Sequence, residues 1–281
     1  MPTIGEVYKK AVQETKPFGI WSADLRILIC FDEGFAEQID VVLNQDKEMK
    51  HVSMFEKQVE RLKKGEPVEY IVNQAKFLEN KLFVDQRVLI PRSETEELVA
   101  NITELITDYY DPRNYLVCAD IGTGSGAITI ALKQYFPNWI FVSSDISQDA
   151  IDVAKINFTT TKTQTTVLKG DALKPYIDAN MNLDIIVCNP PYILNKEDAQ
   201  QSVVDYEPGS ALWMDKDNSV YEKIFKDYKK VKKGTLLMAF EISPDLVDFL
   251  KELMEKYLEN YRFKFIEDLN RNVRFLFIYC E

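Results

Sequence analysis

Only one histidine, His51, is present among the 281 residues. A zinc or iron site built from several imidazoles is therefore excluded, and any Ser-His-Asp or Cys-His relay would have to run through that single ring. Cysteine is scarce as well. Cys30, Cys118, Cys188 and Cys280 lie far apart with no C-x-x-C spacing, and three of them sit inside apolar runs, so they read as small buried hydrophobes. No uninterrupted apolar run approaches about 18 residues, and no charged-then-apolar segment follows Met1, so a soluble cytoplasmic protein without membrane association is expected. Short repeats and low-complexity tracts are also lacking. Excess basic charge is missing too: 34 Lys and Arg face 45 Asp and Glu, a net charge of −11. The densest basic stretch, Lys229, Lys230, Lys232 and Lys233, reads as a solvated helix end, which disfavours nucleic acid as the main ligand. What is abundant is apolar material, 46% of residues with 12% aromatic, enough for a packed core.

Residues 1–68 carry helical periodicity, for example Phe55, Val59 and Leu62, and close on Lys63-Lys64-Gly65-Glu66-Pro67, basic residues followed by Gly and Pro. A small helical domain is expected there. Residues 69–92 read as a β-hairpin linker, two extended apolar stretches separated by Glu79-Asn80-Lys81 and closed by Pro91. Residues 93–281 open with Ser93 and Glu96 in capping-box spacing, which predicts a helix to about Tyr109 with Val99, Ile102 and Ile106 on its apolar face. After Pro112, apolar runs at Tyr115 to Ala119, Trp139 to Ser143, Thr165 to Leu168, Leu183 to Cys188 and Leu236 to Phe240 alternate with amphipathic stretches. That is the pattern of βαβ units on a parallel sheet. Phe263 to Ile266 and Val273 to Tyr279, separated only by a short polar turn, predict a final antiparallel hairpin. The fold class is thus α/β, a Rossmann-like, mostly parallel sheet with a small N-terminal helical bundle.

Asp120-Ile121-Gly122-Thr123-Gly124-Ser125-Gly126 follows the first of these strands and opens a helix, so the backbone can approach a ligand and turn free N–H groups toward it. Its G-x-G-x-G spacing differs from the dinucleotide fingerprint, and Asp120 beside it suits a cationic or zwitterionic ligand better than a pyrophosphate. Asp145 ends the next strand, where a carboxylate can take both hydroxyls of a ribose. Adenosine carrying a tail without phosphate fits these features, and S-adenosylmethionine meets that description, its ammonium group near Asp120. Asp171, in Gly170-Asp171-Ala172 after the third strand, can accept from an adenine amino group or cap the following turn.

Asn189-Pro190-Pro191-Tyr192 stands at the carboxyl end of the Leu183 to Cys188 strand, the edge where ligands bind in open α/β sheets. Successive prolines remove N–H donors, so the Asn189 side-chain oxygen and the Pro190 carbonyl can accept both hydrogens of one planar NH2 group, with Tyr192 stacked on its plane. Accepting both concentrates electron density on a nitrogen that is otherwise a poor nucleophile, an amide or an exocyclic amine. Asn189 and Pro190 are the candidate catalytic groups, and no metal is required.

These motifs, with Gly65-Glu66-Pro67-Val68, Tyr70-Ile71, Ile90-Pro91-Arg92 and Thr95-Glu96, resemble the bacterial peptide chain release factor glutamine methyltransferases over most of the chain. The resemblance implies methylation of the amide nitrogen (N5) of the glutamine in the Gly-Gly-Gln motif of bacterial release factors, with S-adenosylmethionine as cofactor and the helical domain gripping the partner. It implies cofactor contacts at Asp120, Gly122, Thr123, Gly124 and Asp145 with a further one near Ala172, to which Ile121, Gly126 and Asp171 are added as candidates from the loop and strand ends themselves, and substrate contacts at Pro190, Pro191 and Tyr192. Asn189 would touch both. The Asn-Pro-Pro-Tyr signature is shared with enzymes that methylate amino groups of DNA or RNA bases, and a ribosomal-protein glutamine is another substrate for the same site. Ser93 stands where the family often has proline, Trp213-Met214-Asp215-Lys216 replaces a Gly-Gly pair, Asn218-Ser219 replaces Asp-Gly, and Ser243 replaces a glycine.

Overall fold

The computed structural model describes residues 1–111 and 113–281, without the side chain of Asp198. Pro112, where the sequence suggests the start of the alternating region, lies outside the described residues. The chain forms two compact units: Met1–Gln74 with Gln200–Tyr206, and Ala75–Ala199 with Glu207–Glu281.

The first unit is helical. Thr3 caps its opening helix, Ile4–Thr15, in a capping box, accepting from the Glu6 amide at 3.2 Å while its own amide donates to the Glu6 carboxylate at 2.8 Å. Helices Ser22–Glu33 and Val52–Leu62 bury Leu25, Leu28 and Ile29, and Phe55, Val59 and Leu62, on spacings of three and four that place each set on one helix face. His51 sits just before the second of these with Nδ1 3.4 Å from the Glu33 carboxylate. Tyr70 to Val72, expected to be extended, is instead part of a one-turn helix, Val68–Val72. Pro67 precedes it, and Tyr70, Ile71 and Val72 are all buried, so the apolar run has no solvent face whose period would distinguish strand from helix. The separate segment Gln201–Tyr206 is tied to this unit by the Tyr206 hydroxyl, which donates to the Lys64 carbonyl at 3.1 Å.

The second unit begins with a hairpin, β1 (Ala75–Phe77) and β2 (Asn80–Leu82), whose turn is Leu78-Glu79, one position earlier than expected. Leu78 takes a left-handed conformation, and its amide donates to the Glu96 carboxylate at 2.6 Å. That bond overturns the predicted capping box. Ser93 Oγ bonds Glu94 instead, and helix Ser93–Leu105 starts without a side-chain cap, because Glu96 is used to hold the hairpin.

The main sheet contains β3 (Val117–Ile121), β4 (Ile140–Asp145), β5 (Thr166–Lys169), β6 (Leu183–Cys188), β7 (Lys232–Glu241), β8 (Tyr261–Glu267) and β9 (Val273–Cys280), in the order β5-β4-β3-β6-β7-β9-β8. The first five are mutually parallel and the last two form the antiparallel hairpin. Central strands are buried on both faces, which explains their continuous apolar character. Ile185 and Val187 pack with helices Ser93–Leu105, Ala127–Tyr135 and Gln148–Thr161, whereas Ile186 and Cys188 pack with Val220–Asp227 and Val247–Tyr257. Strand order reverses between β3 and β6, so the carboxyl ends of these strands open a crevice. Among the described residues no helix is long and apolar enough to cross a membrane.

Two loop glycines separate backbone conformation from packing. Gly122 has φ +72° and open space where a Cβ would stand, whereas Gly126 has φ +85° and would place a Cβ 2.7 Å from the Phe158 ring. Gly122→Ala is expected to cost about 1 to 2 kcal/mol, the left-handed penalty alone. Gly126→Ala adds overpacking and is expected to cost roughly 2 to 5 kcal/mol. Equal losses in denaturant titrations would contradict this division.

Candidate active site

The crevice holds a cavity of about 340 Å³ built from the ends of β3 to β6. Ile121, Gly122, Thr123, Gly124, Asp145, Asp171, Ala172, Asn189, Pro190 and Pro191 all line it. Asp120, Gly126 and Tyr192 lie outside the lining.

Asp120 closes β3 just behind the cavity wall and is 1% exposed. Its Oδ2 accepts from the Thr123 and Thr129 hydroxyls, both at 2.7 Å, while Oδ1 is buried with no partner. Burial pushes this carboxyl up to about 6, against the lowering effect of the two threonines. The glycine loop was expected to turn free N–H groups toward a ligand. Instead, the amides of Gly122 and Thr123 donate to the Ser144 carbonyl, Gly124 to Asp145 Oδ2 and Gly126 to the Thr123 carbonyl, so these four are engaged within the protein. The loop supplies close approach at residues without a Cβ, and these four amides are not available to cradle an anion.

Asp145 ends β4 and takes one backbone bond on each oxygen, from Gly124 at 3.0 Å and Ser147 at 2.9 Å. Burial raises its pKa, partly countered by those bonds, and each oxygen keeps a lone pair for a ligand hydroxyl. Asp171 neither caps a turn with its side chain nor stands alone: its Oδ2 pairs with Lys223 Nζ at 2.6 Å. Ala172 adopts a left-handed φ of 46° beside it.

Asn189 follows β6 and donates from Nδ2 to Thr95 Oγ1 at 3.0 Å. The Tyr192 hydroxyl donates to Glu241 Oε1 at 3.3 Å, and its ring lies 5.9 Å below the Arg274 guanidinium, so it is anchored behind the cavity and does not form a stacking wall. Burial pushes Glu241 up to about 7, with Thr95 and Tyr192 bonds lowering it.

A family model for the methyltransferase small domain matches residues 99–206. The release factor glutamine methyltransferase of Streptococcus pneumoniae is 34% identical over 91% of this chain and 88% of its own length. That of Bacillus subtilis is 31% identical over 96% and 95%. The chain belongs to the release factor glutamine methyltransferase family. Among solved structures, the hMettl16 catalytic domain in complex with MAT2A 3′UTR hairpin 1 shares the fold, with TM-score 0.54, 17% identity and coverage of 71% of this chain and 74% of that one.

S-adenosylmethionine is the cofactor of this methyltransferase, and its chemical contribution is an electrophilic methyl group. The residues fit it: a buried carboxylate oxygen without a partner, a carboxylate with spare lone pairs in the cavity wall, and glycines leaving room for close approach.

Three members of the methyltransferase's site escape sequence reasoning. Thr95 and Glu241 are far from Asn189 in sequence, and Glu207, nearly buried, accepts from the Ile90 amide at 3.2 Å and pairs with Arg92. The Ile90-Pro91-Arg92 and Glu207-Pro208 stretches are each visible in the sequence, but nothing local pairs them.

Asp120 and Glu241 both hold protons in the folded chain at pH values where the unfolded chain has released them, because their pKa values rise from 3.8 to about 6 and from 4.5 to about 7. Their contribution to stability is full below the unfolded values and is lost as pH rises through the folded ones. In cofactor-free protein, Asp120→Asn is therefore expected to gain melting temperature relative to wild type as pH rises from about 4 to about 7. A difference that stays constant across that window would contradict the raised carboxyl.

Proposed function

We propose that this enzyme methylates the side-chain amide nitrogen (N5) of the glutamine in the Gly-Gly-Gln motif of bacterial peptide chain release factors. The observation that carries the reading is the placement of Asn189-Pro190-Pro191 on the cavity with the Asn189 nitrogen already committed to Thr95. Oδ1 is then the end of that amide available to accept. The Pro190 carbonyl is a second acceptor, and neither proline brings an N–H of its own. Together they hold both hydrogens of a substrate NH2, localise its lone pair and orient it, so that positioning and electrostatics do the work. The substrate nitrogen becomes acidic on methylation and loses its proton to water, which is why no imidazole is needed.

In this reading Asp145 takes the ribose hydroxyls, the Asp120 carboxylate attracts the ammonium group, the Gly122 to Gly126 loop follows the methionine portion, and Asp171 and Ala172 border the adenine. Pro191 and Tyr192 complete the substrate side, Tyr192 by holding the turn in place. The helical residues 1–68 serve as the substrate-recognition domain and residues 69–92 as its link to the catalytic residues 93–281. A net charge of −11 suits a partner with basic, ribosome-adapted surfaces, and the site of action is the cytoplasm.

Incubation with methyl-labelled cofactor and a bacterial release factor is expected to label the wild-type factor and not one whose Gly-Gly-Gln glutamine is replaced. Label that ignores this replacement, or that appears on nucleic acid or a ribosomal protein instead, sinks the assignment. Asn189→Ala is expected to lower kcat by roughly 100- to 1,000-fold with little change in cofactor affinity. Asp145→Ala is expected to weaken cofactor binding by roughly 10- to 100-fold, read by calorimetry. Normal cofactor affinity in Asp145→Ala would remove the ribose assignment.

A further inference from the structure

The two ends of an asparagine amide are nearly identical in shape, so hydrogen bonds alone decide which end faces a ligand. In this site a chain of polar side chains makes that decision. Glu241, at the end of β7, is fully buried, and no described Lys or Arg lies within ion-pair distance of it. The parallel pairing of Cys188 with Phe240 brings Asn189 and Glu241 to the same sheet edge. With Glu241 ionised, both of its oxygens only accept: Thr95 Oγ1 donates its single proton to Oε2 at 2.7 Å, and Tyr192 donates to Oε1. With that proton committed, Thr95 offers only lone pairs toward Asn189, and only the NH2 end of the amide can meet them, as it does at 3.0 Å. In the opposite orientation an Asn189 N–H would face lone pairs nowhere and would point at the hydrogens of the substrate NH2, donor against donor.

We propose that Thr95 and Glu241 are positioning residues that lock the Asn189 amide with its oxygen toward the substrate nitrogen and so govern turnover. The inference rests on the substrate reading above for its kinetic part, but the orientation itself can be observed without substrate. A buried carboxylate with no cation in direct contact, Arg274 acting on it only from beyond the Tyr192 ring, is costly, and its two acceptor bonds here both lead to the Asn-Pro-Pro-Tyr segment, one directly and one through Thr95.

The test compares Thr95→Val, which keeps shape and removes the hydroxyl, with Thr95→Ser, which restores it. Thr95→Val is expected to lower kcat by roughly 10- to 100-fold while leaving KM and cofactor affinity within about threefold, and Thr95→Ser to recover most of the loss. In nitrogen–proton spectra of the full-length protein, the Asn189 side-chain NH2 signal, identified by its disappearance in Asn189→Asp, is expected to show one proton shifted and slowly exchanging in wild type and Thr95→Ser, and to lose both features in Thr95→Val. Turnover of Thr95→Val within about twofold of wild type, or a cofactor affinity that falls in step with turnover, overturns the proposal. Should Thr95→Val not fold, the wild-type spectrum decides: an Asn189 NH2 exchanging like a free amide overturns it. A wild-type enzyme that labels no release factor defeats the substrate reading and leaves the amide signal to judge the orientation.

Discussion

The Asp120 carboxylate, accepting from two threonine hydroxyls inside the core, is the interaction on which the rest of the site depends. Thr129 Oγ1 lies 2.8 Å from Ser143 Oγ, so the carboxylate is connected to β4 as well as to its own loop. The Tyr176 hydroxyl, within 3.0 Å of Ser144 Oγ and 3.1 Å of the Val142 carbonyl, braces the same strand from the opposite face. From these strand ends the Ser144 carbonyl and Asp145 carboxylate hold the amides of Gly122, Thr123 and Gly124. A buried carboxylate with neutral donors only, and one oxygen unpartnered, is an expensive way to end a strand. That cost is intelligible where a cationic group is to be attracted, and it places negative potential behind a loop four of whose amides are already engaged.

Two raised carboxylates, Asp120 and Glu241, thus stand at the ends of β3 and β7 and act in different ways. Asp120 contributes charge, with an unsatisfied oxygen. Glu241 contributes polarity of hydrogen bonding, since both its oxygens accept from groups connected to the Asn-Pro-Pro-Tyr turn. The crevice between them is a product of topology, because strand order reverses at β3 and β6 and leaves their carboxyl ends uncovered. β6, which carries Asn189 at its end, lies between the two strands that end in these carboxyls.

Much of this is legible in the sequence because parallel strands buried on both faces are written as continuous apolar runs, and Gly122, Gly124, Asn189 and the prolines mark the strand ends. The misreadings have two causes, competition between local and distant partners and complete burial of an apolar run. Ser93 and Glu96 have capping-box spacing, yet Glu96 accepts from Leu78 in the turn of the preceding hairpin. Tyr70 to Val72 looks extended, but complete burial removes the alternation that would identify a strand. Asp171 does not cap the following turn as local spacing would allow, because Lys223 reaches its Oδ2 from the helix Val220–Asp227. Thr95 lies within a visible motif, whereas its role emerges only when Asn189 and Glu241 meet it, and no spacing rule connects residues so distant in sequence.

The departures from the family pattern are absorbed by local hydrogen bonding. Where Asp-Gly is expected, Ser219 caps helix Val220–Asp227 by accepting from the Glu222 amide at 3.1 Å, and it is the side chain, not backbone freedom, that starts the helix. Where Gly-Gly is expected, Trp213 lines the cavity and packs against Gly209, whose missing Cβ would lie 3.1 Å from the indole nitrogen. Its backbone is fixed on both sides, Ile193 donating to the Leu212 carbonyl at 3.1 Å and Met214 to the Ile193 carbonyl at 2.9 Å. That pairing attaches the Trp213 segment to the residue immediately after Tyr192, and the Lys196 ammonium lies 5.9 Å from the indole ring. A glycine pair would leave this stretch free to choose its path, whereas an indole held by backbone bonds gives the cavity mouth one shape before any ligand arrives. The change therefore acts on preorganisation of the cavity mouth, while the Asp120 loop and the Asn-Pro-Pro-Tyr turn remain as the family pattern has them.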